Sequence, residues 1–200
     1  GLLLLDGGDD GADLAGLAAR PAALPAVALV PAGAAALRIE ALSRGADDVL
    51  ARNTRERLLQ ARLRSLLRAR DALAELQPAA DGLAEGPAPF LGAVAGRIAV
   101  LRARDGAPPH PALPGLVRRL RCAEAAPGEG PDLAILDAHA TRGDLDEGTR
   151  VLEMLAALRA RAGARHAATL VLLPEQAVET AARALDLGAD DVVAGTAGPE

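Results

Sequence analysis

The chain has 200 residues, half of them hydrophobic and 24% charged, an ordinary globular balance that suits one large or two small domains. All 22 of its basic residues are arginine, set against 27 carboxylates for a net charge of −5, so a P-loop lysine, a Schiff-base lysine and a lysine general base are excluded. Phe90 is the lone aromatic residue, which removes stacking platforms for single-stranded nucleic acid, and the acidic balance argues against nucleic acid as a partner in general.

Residues 2–5, Leu2-Leu3-Leu4-Leu5, form a short apolar run that ends at Asp6, the pattern of a strand buried on both faces. No signal peptide precedes it, and a chain that opens inside such a strand is expected to be a fragment. Residues 26–30 and 48–50 read as two further strands. Residues 34–44 between them have helical spacing, with Leu37 and Ala41 four apart and Gly45 as the stop. Residues 54–77 form an amphipathic helix carrying Leu58, Leu59, Leu63, Leu66, Leu67, Leu73 and Leu76. Residues 78–89, rich in Gly, Ala and Pro, are a linker. Beyond it come predicted strands at 97–101, 133–136, 169–173 and 191–193, with helices at 114–122 and 175–187. Alternating strands and helices imply parallel sheets with right-handed crossovers. No apolar run approaches the ~20 residues of a spanning helix, so no membrane partner is expected. The single Cys122 forms no internal disulfide and suits a reducing, cytoplasmic setting. His110, His139 and His166 are scattered without metal-ligand spacing.

The chain repeats itself. Val27-Ala-Leu-Val-Pro31 matches Leu170-Val-Leu-Leu-Pro174, and Gly45-Ala-Asp-Asp matches Gly188-Ala-Asp-Asp, both at an offset of 143 (174 − 31 and 188 − 45). A period this long marks a duplicated domain rather than a solenoid. Leu2-Leu-Leu-Leu-Asp6 corresponds to Leu133-Ala-Ile-Leu-Asp137 at an offset of 131 (137 − 6), so the second copy carries about twelve more residues between these strands, an insertion a connection tolerates. The organisation is therefore a first copy at 1–77, a linker at 78–95 and a second copy at 96–200.

Asp6 and Asp137 end apolar strands, on the sheet edge where doubly wound folds bind ligands. A strand-end carboxylate can hold Mg²⁺ or accept a phosphoryl group; it can equally cap the following turn. With the repeated Gly-Ala-Asp-Asp element, these features resemble response-regulator receiver domains. Two in tandem, joined by the helix containing Gln60-Ala-Arg-Leu-Arg-Ser-Leu-Leu-Arg68, resemble the amino-terminal region of PleD-type diguanylate cyclase response regulators. The resemblance covers nearly the whole chain. It implies two flavodoxin-like (CheY-like) α/β domains with parallel sheets, the first lacking its amino-terminal strands in this chain.

The resemblance also implies an acidic pair after the first strand, an acceptor Asp after the third, a hydroxyl after the fourth and a Lys after the fifth. In the second copy the acidic pair falls on Arg102 and Ala103, the hydroxyl on Leu173 or Pro174 and the lysine on Gly195, which leaves only Asp137. Asp137 is expected not to be phosphorylated, with either an Arg102–Asp137 ion pair filling the metal site or Arg102 solvated at the strand end; Asp105 serves only after a shift of register. In the first copy Asp6 is the phosphoacceptor candidate, Val30 or Pro31 stands at the hydroxyl position and Arg52, followed by Asn53, at the lysine position. Mg²⁺ is expected only at Asp6, and only with acidic residues upstream; no other cofactor is expected. Asp9 and Asp10 read as a solvated turn, His139 as a loop histidine with a metal or phosphotransfer role as the alternative, and Arg118, Arg119 and Arg121 as a solvated helix face.

The resulting expectation is a regulatory module of a two-component signalling protein, without turnover of its own, that controls dimerisation and a diguanylate cyclase output outside this chain. A homodimer and a sensor histidine kinase are the partners this implies. A standalone scaffold of two degenerate receivers and a small α/β enzyme using Asp6 or Asp137 are the alternatives. Phe90 is expected to anchor the linker.

Overall fold

The computed structural model describes residues 2–21, 24–81, 96–103, 106, 108–120, 123–126, 130–139, 145–174 and 176–194, with side chains except at 72–81, 120, 145–147 and 194. Phe90, Asp105, Cys122 and Gly195 lie outside the described residues. The chain divides into two compact units, Gly1–Ala79 and Ala80–Glu200.

In the first unit, β1 (Leu3–Asp6), β2 (Ala26–Val30) and β3 (Asp48–Ala51) form a parallel sheet in that order. One face packs Ala26, Ala28, Val30 and Val49 against Leu14 and Leu17 of a 3₁₀ helix (Ala12–Ala19) and Ala41 of α1 (Ala35–Ser43). Leu14 and Leu17 are three apart, the spacing that stacks side chains on a 3₁₀ helix. Burying each contributes about 2 kcal/mol. β1 departs from the expectation of burial on both faces. It is an edge strand whose exposure alternates, and Leu4 is 46% exposed. The long helix α2 (Glu56–Asp81) buries Ala61 and Ser65, and it continues through Pro78, where the sequence suggested that the linker begins. A proline deletes one helical hydrogen bond and does not by itself end the helix.

The second unit contains β4 (Arg97–Arg102), α3 (Leu113–Leu120), β5 (Ala123–Glu124), β6 (Leu133–Asp137), α4 (Leu145–Ala160), β7 (Ala168–Leu173), α5 (Val178–Asp186) and β8 (Asp191–Ala194). Its five strands are parallel and ordered β5-β4-β6-β7-β8. Renumbered within the unit this is 2-1-3-4-5, the doubly wound flavodoxin-like order, whose switch point lies between β4 and β6. Leu113 and Leu116 of α3 cover Ile135 and Leu172, whereas Leu158 of α4 packs on Ala134. Ala134 and Ile135 are neighbours on a strand and point to opposite faces, so helices cover both sides. The first unit's three strands are the counterparts of β6, β7 and β8. The roughly twelve extra residues replace its 3₁₀ helix with the 16-residue α4, an element the sequence reading did not place.

The repeated Gly-Ala-Asp-Asp element sits at the opposite edge from Asp6 and Asp137, where helices turn into β3 and β8. Gly45 and Gly188 take left-handed conformations, φ 95° and 97°, which glycine adopts without a side-chain penalty. Ala46 and Ala189 are buried and return their N–H groups to Ala41 and Ala184, closing each helix. Asp47 accepts the N–H of Ala26 at 2.7 Å, and Asp190 accepts that of Thr169 at 2.7 Å. The second aspartate of each element, Asp48 or Asp191, accepts the N–H of the next residue.

An arginine completes both assemblies. Arg20 donates to the Leu24 and Gly45 carbonyls and lies 3.1 Å from Asp47 Oδ2. Arg159 donates to the carbonyls of Arg165, Ala167 and Gly188 and pairs with Asp190 Oδ2 at 2.9 Å. Leu24 and Ala167 are equivalent at the 143-residue offset, and so are Gly45 and Gly188. The arginines are not: one follows the 3₁₀ helix, and the other lies in the last turn of α4. Arg159→Ala strands three carbonyls and is expected to destabilise the second unit by about 2 kcal/mol. Arg159→Lys restores only part of the loss, because an ammonium lacks the planar fork. Denaturant unfolding of both variants measures the difference.

Candidate functional site

Parallel pairing gathers the ends of β1, β2 and β3 at one edge of the first unit, and Asp6 sits there with 64% of its side chain exposed. Arg52, one residue beyond β3, crosses to it. Its Nε donates to Asp6 Oδ1 at 2.8 Å, Nη2 lies 2.7 Å from the same oxygen, and Nη1 reaches Asp9 Oδ1 at 2.6 Å. Gly8 N–H also donates to Asp6 Oδ1, at 3.1 Å. That backbone bond, followed by the Arg52 guanidinium, holds the Asp6 carboxyl below its ordinary range, and both carboxylates raise Arg52 in turn. The arginine at the lysine position thus forks between two carboxylates, which an ammonium cannot match in geometry. The acidic turn is built in: Asp9 pairs with Arg52, and Asp10 accepts Ala12 N–H at the start of the 3₁₀ helix.

Asp137 occupies the same strand position in the second unit, but its side chain is only 2% exposed. Oδ2 accepts His110 N–H at 2.8 Å. Oδ1 accepts His139 N–H at 3.3 Å and lies 2.7 Å from His139 Nδ1. The His110 and His139 rings meet edge to face, with centroids 4.8 Å apart. His110 is buried, its Nδ1 accepts Ala112 N–H at 3.2 Å, and its carbonyl receives Leu113 N–H at the start of α3. Burial, with the neighbouring His139, pushes His110 below its usual pKa; Asp137 opposes this.

The expected Arg102–Asp137 pair is replaced by this arrangement. Arg102 is exposed at the end of β4, and the buried carboxylate is met by backbone amides and imidazole, which hold it without transferring a guanidinium out of water. Ala103 is buried and extends the ladder by donating its N–H to the Asp137 carbonyl. At the hydroxyl positions, Pro31 and Pro174 each open a turn, accepting the N–H of Ala34 and Ala177. Among the described residues no group of three or more His, Cys, Asp or Glu could hold a metal ion. His110 is the residue sequence reasoning missed. It lies 27 positions before Asp137, and only the parallel order, which puts the loops after β4 and β6 side by side, signals their meeting.

No family model and no curated protein matches this chain. Among solved structures it is similar to NtrX from Brucella abortus in complex with ADP, at 18% identity and a TM-score of 0.32, and in complex with ATP, at 19% and 0.31. Each alignment covers 99% of this chain and 50% of that one, so the chain spans half the length of those proteins.

Two outcomes follow from the electrostatics. Arg52→Ala removes the guanidinium from Asp6, so its carboxyl titrates closer to the ordinary 3.8; carboxyl-carbon NMR reads the shift. His110 binds its proton less readily when folded than at its ordinary 6.5, so its contribution to stability is present above that value and is lost as the pH falls through it. His110→Asn keeps an acceptor for Ala112 N–H and removes the titration. The melting temperature of the second unit, followed by its amide signals, is expected to drop between pH 7.5 and 5.5 less in this variant than in the parent.

Proposed function

We propose that the chain is a regulatory module of two receiver-like units from a two-component signalling protein, and that it works by protein contact rather than turnover. The observation that carries this reading is Asp137 at the end of the central strand, beside the switch point of a 2-1-3-4-5 sheet. Asp6 ends the equivalent strand of a second, shorter copy. Both carboxylates are already engaged, Asp6 by Arg52 and Asp137 by His139 and two backbone amides. Phosphorylation of Asp6 therefore requires Arg52 to release it, and Asp137 is closed. The finer reading is that the module sets the dimerisation and activity of a diguanylate cyclase output outside this chain. Its support is α2, about 39 Å long at 1.5 Å per residue, with Leu63, Leu66 and Leu67 only half-buried.

Sedimentation of the full chain across a concentration series, with and without beryllofluoride and Mg²⁺, tests the proposal. The expected result is a reversible dimer, weakened by Leu66→Asp, with chemical shifts around Asp137 unmoved by beryllofluoride. A strictly monomeric parent overturns the contact-driven reading, and a stoichiometric adduct at Asp137 overturns the closed carboxylate.

A further inference from the structure

Asp137, His139 and His110 form a cluster that the regulatory reading leaves unused. A carboxylate beside an imidazole fixes which ring nitrogen carries the proton. Oδ1 and Oδ2 of Asp137 each accept a backbone N–H, so the carboxylate acts as an acceptor and the contact at 2.7 Å places the His139 ring proton on Nδ1, which leaves the lone pair on Nε2. His110 has the opposite tautomer: its Nδ1 accepts Ala112 N–H, so its proton is on Nε2 and its basic nitrogen is taken. Of the two touching rings, only His139 offers a free basic nitrogen. Its side chain is 18% exposed, against 2% for Asp137. The pair also lies beside the β4/β6 switch point, where doubly wound sheets receive ligands.

We infer that His139 Nε2 is a phosphoryl-accepting nucleophile, oriented by Asp137, for a small acyl phosphate. The Nε2 lone pair attacks phosphorus, the P–O bond to the acyl oxygen breaks, and the carboxylate leaves with that electron pair. No proton moves: Nδ1 keeps its hydrogen against Asp137 Oδ1. The phosphorylated ring is cationic, and the buried carboxylate faces that charge as it develops, which is the role an aspartate plays behind a catalytic imidazole. Burial disfavours a charge on His110, which lessens opposition from a second cation. Asp137 acts here as a positioning residue.

The test treats the full chain with acetyl phosphate at mildly alkaline pH, then maps adducts by fragmentation in alkali. One phosphoryl group is expected on His139, stable in base and lost in mild acid, the reverse of the base lability of an aspartyl phosphate. NMR of the ring nitrogens is expected to show the Nε2 isomer alone. His139→Gln abolishes the adduct. Asp137→Asn, which can hold the ring in the wrong tautomer, slows its formation by at least about tenfold and admits the Nδ1 isomer, a change that loss of packing alone does not produce. Exposed His166, whose Nε2 accepts a hydrogen bond from Arg165 Nε at 2.9 Å and whose Nδ1 is the nitrogen to compare, is the internal control. No adduct, equal labelling of His166, or an Nδ1 adduct in the parent overturns the inference. These outcomes are separate from the beryllofluoride and sedimentation results, so the regulatory reading and this one fail independently.

Discussion

A parallel sheet returns every crossing over one of its faces and sends every strand the same way, so its two edges cannot be alike. That constraint organises both units. At one edge helices end and strands begin, and Arg20 or Arg159 ties helix, loop and strand together through Asp47 or Asp190. At the other, strands end and loops begin, and there the chain places Asp6 and Asp137, each already engaged by a neighbour. Stability is concentrated at the first edge and chemical variety at the second.

The chemical edge diverges more than the structural one. Asp6 and Asp137 hold equivalent positions on equivalent strands, yet one is open to solvent and ion-paired while the other is buried against backbone amides and imidazole. The difference comes from the flanking loops. In the first unit a short glycine-rich turn leaves room for Arg52 to reach over the sheet. In the second, the loop holding His110 folds down onto the carboxylate and starts α3 from it.

The strands were legible because a strand covered on both faces needs an uninterrupted apolar run, and residues 26–30 and 133–136 supply one. The internal repeat was legible because the later strand and the turn recur at an offset of 143 and the first strand at 131. Helix α4 was not: Asp146, Glu147 and Gly148 interrupt its amino-terminal half, and its apolar face emerges only from Val151 onward. The position of Asp137 could be read from the sequence, but its burial could not, since that depends on a loop 27 residues away. Arg102 was expected as its partner because it stands where the resemblance implies a metal ligand; in the structure the two are register neighbours, Arg102 is exposed and Asp137 is buried.

The two arginine clamps grip matching carbonyls from unmatched places in the chain. What has been kept between the copies is a destination, not an origin. The crossover that delivers the guanidinium is a 3₁₀ helix in one unit and a four-turn helix in the other, and in both its tip arrives above the corresponding loop. A connection under that rule is an exchangeable part. Its length and helicity can drift, or be redesigned, while the sheet beneath it keeps its register.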